Sequence, residues 1–396
     1  MVRVGARSRL GRRVPERPAL ATHDDDPGPD HPETLRERCP CTSEPNTGCP
    51  ARRWRRRAPR TIRRAERRRV VTSSSAEWVG GPLPAMRQSQ FPPWSTYLQI
   101  EPIVPLASTL VGTNPWDSTV VTRVGEGRYS ATISPSWNLA VAAQGGVVAA
   151  IAARAMEAEL STGQSLRSFH GLFASPVPVG PVEVEVGVIR SGRSISQMQA
   201  TIRAVDAPGR FTAFAAFGRE RPGFRYTELE MPRVPRPEEC GSYRDPPPPE
   251  SGLPTEPVFE FWREVIEGRP ALGHAPWDTA ERDAAEVATW IKFEQLPADQ
   301  NGAFDQLALL VAADMMPAAV FERVGPTERG WFAPSVDLTV HLNGLPTGPW
   351  ILNHNRAHFA DHGYASAEVA LWDPHTPDGP TLLAWATQVM FFTQLE

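Results

Sequence analysis

Lysine occurs once in this chain, at Lys292, although Lys and Arg together number 41. Cysteine is nearly as scarce, with four among 396 residues. Cys39, Cys41 and Cys49 are spaced C-x-C-x7-C, which is neither a zinc spacing nor a disulfide framework. Cys240 stands alone. So few thiols fit a reducing compartment, and the cytoplasm is the expected location. No stretch reaches 18 uninterrupted apolar residues, so no membrane-spanning helix is expected. The phosphate-cradling loops G-x-x-x-x-G-K-[ST] and G-x-G-x-x-G are missing, and no cofactor is called for. G-x-S-x-G is missing too, which removes the elbow that holds a serine nucleophile.

What is present divides unevenly. Residues 1–85 hold about 19 Arg and about 10 acidic residues, leaving roughly +9 there and roughly −13 on the rest, in keeping with the overall −4. That segment has no helical or strand period and few aliphatics, so 1–94 reads as a disordered Arg/Pro-rich extension. Met86 is a candidate initiator, which would make the extension an over-long start. An arginine arm for nucleic acid would need aromatic interleaving beyond Trp54. A secretion signal would need an apolar run that is not there.

From about residue 95 the pattern becomes that of a folded protein. Residues 117–134 read as two short strands about a turn at Gly125–Gly127. Residues 137–160, WNLAVAAQGGVVAAIAARAMEAEL, read as a helix apolar on most sides, hence buried. SLRSFHGLFASPV, PVEVEVGVIRSGRS, ISQMQATIRAVD and RFTAFAAFGRE follow as strands, with Val182, Val184, Val186 and Val188 alternating against Glu183, Glu185 and Gly187. Residues 221–257 are Pro-rich and read as an extended linker. The order then recurs: a strand at 285–295, an apolar helix at 304–321, and strands at 335–342, 349–361, 364–373 and 381–392. Gly180-Pro181 and Gly348-Pro349 each open a long strand at nearly the same offset, 12 and 13, from Ser168 and Ser335. Two similar halves are expected, 95–220 and 258–396.

One residue of the second helix is out of place by composition. Leu307, Leu310, Val311, Asp314, Ala318 and Phe321 share a stripe at steps of three and four. A carboxylate on that stripe needs partners or a shifted pKa. A helix end near Pro317 is one local explanation.

The run WNLAVAAQGGVVAAIAARAM with RSFHGLFASPVPVGPVEVEVGVIRSGRSISQMQATI resembles the first repeat of TesB-type (type II) acyl-CoA thioesterases. VAADMMPAAVF, APSVDLTVHL and LLAWATQVMFF resemble the second. The resemblance implies an α+β double hotdog: two repeats, each an antiparallel sheet wrapped around a long central α-helix. It implies hydrolysis of fatty acyl-CoA to free acid and CoA. It also implies three catalytic side chains in the second repeat, which fall here on Asp314, Ser335 and Gln388. Ser335 replaces the more usual Thr. These residue types suit the chemistry. A carboxylate can act as base toward water, and a hydroxyl and an amide can both donate and accept.

Asp337 is the rival base. Gln144, Gly145 and Gly146 take a place in the first repeat near that of Asp314 in the second. They are candidate substrate-binding residues, because Gly lets a ligand approach backbone N–H groups. Arg193 is a candidate for the CoA phosphates, as are Arg190 and Arg356. His354 and His358 would lie about 13 Å apart on a strand, so no metal site is expected. Alternatives are a catalytically silent acyl-CoA-binding scaffold and a hotdog enoyl-CoA hydratase. D-L-T-V-H (337–341) has the wrong spacing for the latter. A homo-oligomer is expected, because such sheets present long edges.

Overall fold

The computed structural model describes residues 114–139, 142–160, 163–251, 259–275, 277–278, 280–325 and 331–394. The expected extension 1–94, with Met86 and three cysteines, lies outside the described residues. So do 95–113 and the end of the expected linker.

Alternating side chains build one antiparallel sheet of twelve strands. The first half contributes β1 (Thr122–Gly125), β2 (Arg128–Ile133), β3 (Ser165–Ser175), β4 (Gly180–Arg190), β5 (Ile195–Ala204) and β6 (Arg210–Gly218). The second contributes β7 (Ile266–Leu272), β8 (Glu286–Phe293), β9 (Asp337–Leu342), β10 (Ile351–Asp361), β11 (Tyr364–Asp373) and β12 (Thr381–Phe391). Their order across the sheet is β1-β2-β4-β5-β6-β3-β9-β12-β11-β10-β8-β7. The halves join where β3 pairs with β9, Leu172 opposite Asp337 and Ser168 opposite His341. In β4, Val182 and Val184 are buried while Glu183 and Glu185 are exposed, as strict alternation requires.

Strand β7 carries no strand signal in the sequence, since Gly268 and Pro270 interrupt it. Among the described residues it pairs as a strand only with β8, at the sheet edge, where a missing N–H is tolerated.

The first expected helix is shorter than its apolar run. It forms α1 (Gly145–Glu157), because Pro135–Trp137 makes a 3-10 turn and Asn138–Leu139 pairs with Ala142–Ala143. Ten of its residues are buried. The second expected helix is broken into α2 (Ala308–Ala313) and α3 (Pro317–Val324). Pro317 has no N–H to continue α2 and instead opens α3 at its first position, where none is needed. Asp314 is therefore not mid-helix but the C-cap of α2, with φ −87° and ψ 56°.

Helices α1 and α2 lie antiparallel and unusually close. A Cβ on Gly146 would fall 2.5 Å from the Leu310 carbonyl oxygen and 2.5 Å from Val311 Cα, so only Gly fits. At the far end of the pair, Arg154 is bonded to Asp305, which also accepts from Trp116 Nε1 at 3.1 Å.

The main core fills the space between these helices and the inner face of the sheet. A second cluster covers the outer face of the second half, built on Trp290, Trp350, Leu352 and Trp372. The Pro-rich segment is more than a connector there. Leu229, Met231 and Val234 pack on this cluster, and Trp290 Nε1 donates to the Pro235 carbonyl at 2.8 Å.

Candidate active site

The break after α2 turns Asp314 toward the start of α1. The backbone N–H groups of Gly145 and Gly146, which open α1 and have no partner within it, donate to the Asp314 carboxylate. Gln144, the N-cap of α1, works in both directions. Its Oε1 accepts from Val147 N at 3.0 Å, and its Nε2 donates to Asp314 Oδ2, to the Asp314 carbonyl and to the Val311 carbonyl, each at 3.2 Å. One buried amide thus joins the positive end of one helix to the open carbonyls of the other.

The opposite side of the carboxylate meets β12. Gln388 Nε2 donates to Asp314 Oδ1 at 2.6 Å and to Ser335 Oγ at 2.7 Å. Ser335 also hydrogen-bonds the carboxylate, so the three side chains close a ring. Gln388 is buried, and its Oε1 has no hydrogen-bond partner among the described residues.

Simple alternation would put Ser335 on the same face as Asp337, Thr339 and His341. The structure corrects this. Thr339 opposes Thr387, but four residues earlier Ser335 opposes Met390, only three residues later on β12. This one-residue slip turns Ser335 to the inner face beside Gln388. Asp337 stays behind and accepts from the Val389 backbone N–H at 2.7 Å, so the rival base serves the sheet. His341 stacks on Trp385, with ring centroids 5.7 Å apart.

The electrostatics suit a base. Burial pushes the Asp314 carboxyl up to about 6, against the downward pull of hydrogen bonds from Gln388, Gly146, Gly145 and Ser335. The named groups that contact it are all neutral. At neutral pH it is ionised, yet basic enough to take a proton from water.

Of the candidates named from sequence, Asp314, Ser335, Gln388, Gln144, Gly145 and Gly146 are brought together. Arg193 is not. It sits in the turn between β4 and β5, where its carbonyl accepts from Arg219 Nε at 3.0 Å. That turn is at the Ser165 end of β3, eight residues of strand, or roughly 26 Å, from Phe173, which touches the Gly145 position. Arg356 is paired with Glu368 at 3.2 Å.

The comparison of the halves also needs adjusting. Laid without a gap on DQLALLVAADMM (305–316), GGVVAAIAARAM (145–156) puts Arg154 at the place of Asp314 and Asp305 at the place of Gly145. The contacts obey this match, Arg154 with Asp305 mirroring Asp314 with Gly145. Gln144–Gly146 face Asp314; they are not its counterpart.

Residues 133–218 match the acyl-CoA thioesterase N-terminal domain, and residues 237–392 match the acyl-CoA thioesterase C-terminal domain. This chain belongs to the acyl-CoA thioesterase family. As a member of that family it is a thioester hydrolase. Solved structures share its hotdog fold. A conserved protein of unknown function with a hot dog fold from Alicyclobacillus acidocaldarius is 23% identical with a TM-score of 0.58, over 71% of this chain and 98% of that one. The tesB protein of Mycobacterium avium subs. paratuberculosis is 19% identical with a TM-score of 0.54, over 70% and 96%. The acyl-CoA thioesterase II TesB2 of Mycobacterium marinum is 16% identical with a TM-score of 0.53, over 70% and 97%. No match was found among curated proteins. Among the described residues, no helix of this thioesterase is long and apolar enough to cross a membrane.

Proposed function

We propose that this thioesterase hydrolyses fatty acyl-CoA by general-base activation of water at Asp314, without a covalent intermediate. The observation that carries the reading is the ring of Asp314, Gln388 and Ser335, with a buried amide oxygen left over on Gln388. In this reading the attacking water donates one hydrogen to Asp314 and the other to Gln388 Oε1. Its oxygen adds to the thioester carbonyl carbon as Asp314 takes the proton. Once protonated, Asp314 has a weaker claim on the Gly145 and Gly146 N–H groups. The same donors then serve the oxyanion. Collapse breaks the carbon–sulfur bond, and the CoA sulfur leaves with the proton that Asp314 held. The products are a free acid and CoA.

The same reading takes the molecule as a double hotdog, with repeats 95–220 and 258–396 on either side of the 221–257 linker and the three catalytic side chains in the second. The Arg154–Asp305 pair supports a silent first repeat, since a bound cation replaces the acid there. The reading also takes copies of the chain to associate in the cytoplasm; among the described residues β1 has a neighbouring strand on one side alone, which favours such pairing.

The deciding experiment is release of free thiol from a saturated acyl-CoA series, palmitoyl-CoA included. Turnover that vanishes in Asp314→Asn is expected. Full turnover in that variant would remove Asp314 from the reaction.

A further inference from the structure

The inner face of β10 should be apolar, because it lies against α2 and α3. Ile351 and Ala357 obey, but between them stand Asn353 and Asn355, 0% and 1% exposed. Two buried amides on one strand face are costly unless they are bonded. Asn353 Nδ2 donates to the Ala312 carbonyl at 2.5 Å. Asn355 Nδ2 donates to Asn353 Oδ1 and so fixes which way the Asn353 amide points. Asn355 Oδ1 is left buried with no partner among the described residues, a cost that an aliphatic pair would avoid.

The acceptor explains the arrangement. Ala312 is in the last turn of α2, two residues before Asp314, where helix carbonyls lose their own donors. Gln144 covers the Val311 and Asp314 carbonyls from the α1 side. Asn353 covers the Ala312 carbonyl from the sheet side. The helix break that aims Asp314 is therefore clamped between two amides from different parts of the chain.

We propose that Asn353 is a positioning residue for Asp314, held in its working orientation by Asn355. This rests on Asp314 being the base. Loosening the break lets the carboxylate drift from the Gly145, Gly146 and Gln388 donors. The reaction then slows, and the pH at which the base gains its proton rises.

The test is the pH dependence of acyl-CoA hydrolysis by the full chain for wild type, Asn353→Leu, Asn355→Leu and Asn353→Gln, with melting temperatures alongside. For Asn353→Leu we expect kcat to fall about 10-fold or more, KM to stay within about twofold, and the acid limb to move up by about half a pH unit or more. Asn355→Leu should move the same quantities less, and Asn353→Gln should restore part of kcat. The proposal is overturned if the folded variants keep the wild-type kcat and acid limb. It is equally overturned if kcat falls only in proportion to the folded fraction while the limb stays fixed. Should Asn353→Leu not fold, Asn355→Leu and Asn353→Gln decide by the same criteria. An acid limb in the wild type that does not depend on Asp314 would fault the base assignment instead, which the Asp314→Asn control reveals separately.

Discussion

Gly145 stands so close to Asp314 that a methyl group on it would fall 2.6 Å from Oδ2 of the carboxylate and 2.7 Å from the Phe173 ring. The start of one helix and the end of another are thus fitted around a single acid. Gly145→Ala should displace the carboxylate rather than unfold the protein, since both neighbours are side-chain tips. We expect kcat to fall on the order of 100-fold with a small change in melting temperature. Gly146→Ala should do the reverse. Its methyl would meet the Leu310 and Val311 backbone, which cannot turn aside, and stability should drop by roughly 3 kcal/mol. Urea melts and thiol release on both variants check this. Equal effects of the two changes on stability would contradict it.

The acid limb of activity follows from the Asp314 carboxyl, which burial raises to about 6. The base must be ionised, so kcat should fall about tenfold per pH unit below that value and level off above it. A profile flat down to pH 4 would show that another group takes the proton.

The same shift has a stability consequence of opposite sense. A carboxyl raised in the folded state contributes stability that is complete below its unfolded value, near 3.8, and is lost as pH rises through about 6. Asp314→Asn should therefore be more stable than wild type at pH 8, by up to about 3 kcal/mol, and the gap should close toward pH 4. Glu157, raised to about 7 mainly by burial despite Arg154, acts in the same direction. Glu157→Gln should flatten the pH dependence of stability and leave thioester turnover unchanged. Denaturant melts at several pH values measure both.

Ser335 and Gln388 act on one ring, so their effects should not add. Ser335→Thr keeps the hydroxyl and should retain activity within about threefold. Ser335→Ala should lose about 10- to 100-fold and Gln388→Ala at least as much. The double variant Ser335→Ala with Gln388→Ala should be little worse than Gln388→Ala alone. Multiplicative losses would mean that the two residues act independently.

The sequence by itself was sufficient for every strand of the sheet except β7, for the positions of the two apolar runs and for the oddity of Asp314, because each is a local matter of period or composition. Val182 and Val184 alternate whatever surrounds them, and an acid on an aliphatic stripe is conspicuous in one dimension. Tertiary structure decided the rest. The slip that turns Ser335 inward depends on how β9 meets β12, and no property of Ser335 announces it. Arg193 looked as eligible as any arginine, and only pairing across β3, β5 and β6 put it at the opposite end of β3 from Phe173. Asn353 and Asn355 read as ordinary polar residues of a strand until α2 was laid against them. Hydrogen bonds between elements far apart in the chain leave no periodic trace. The chain could therefore declare its buried acid, and only folding could name the groups around it.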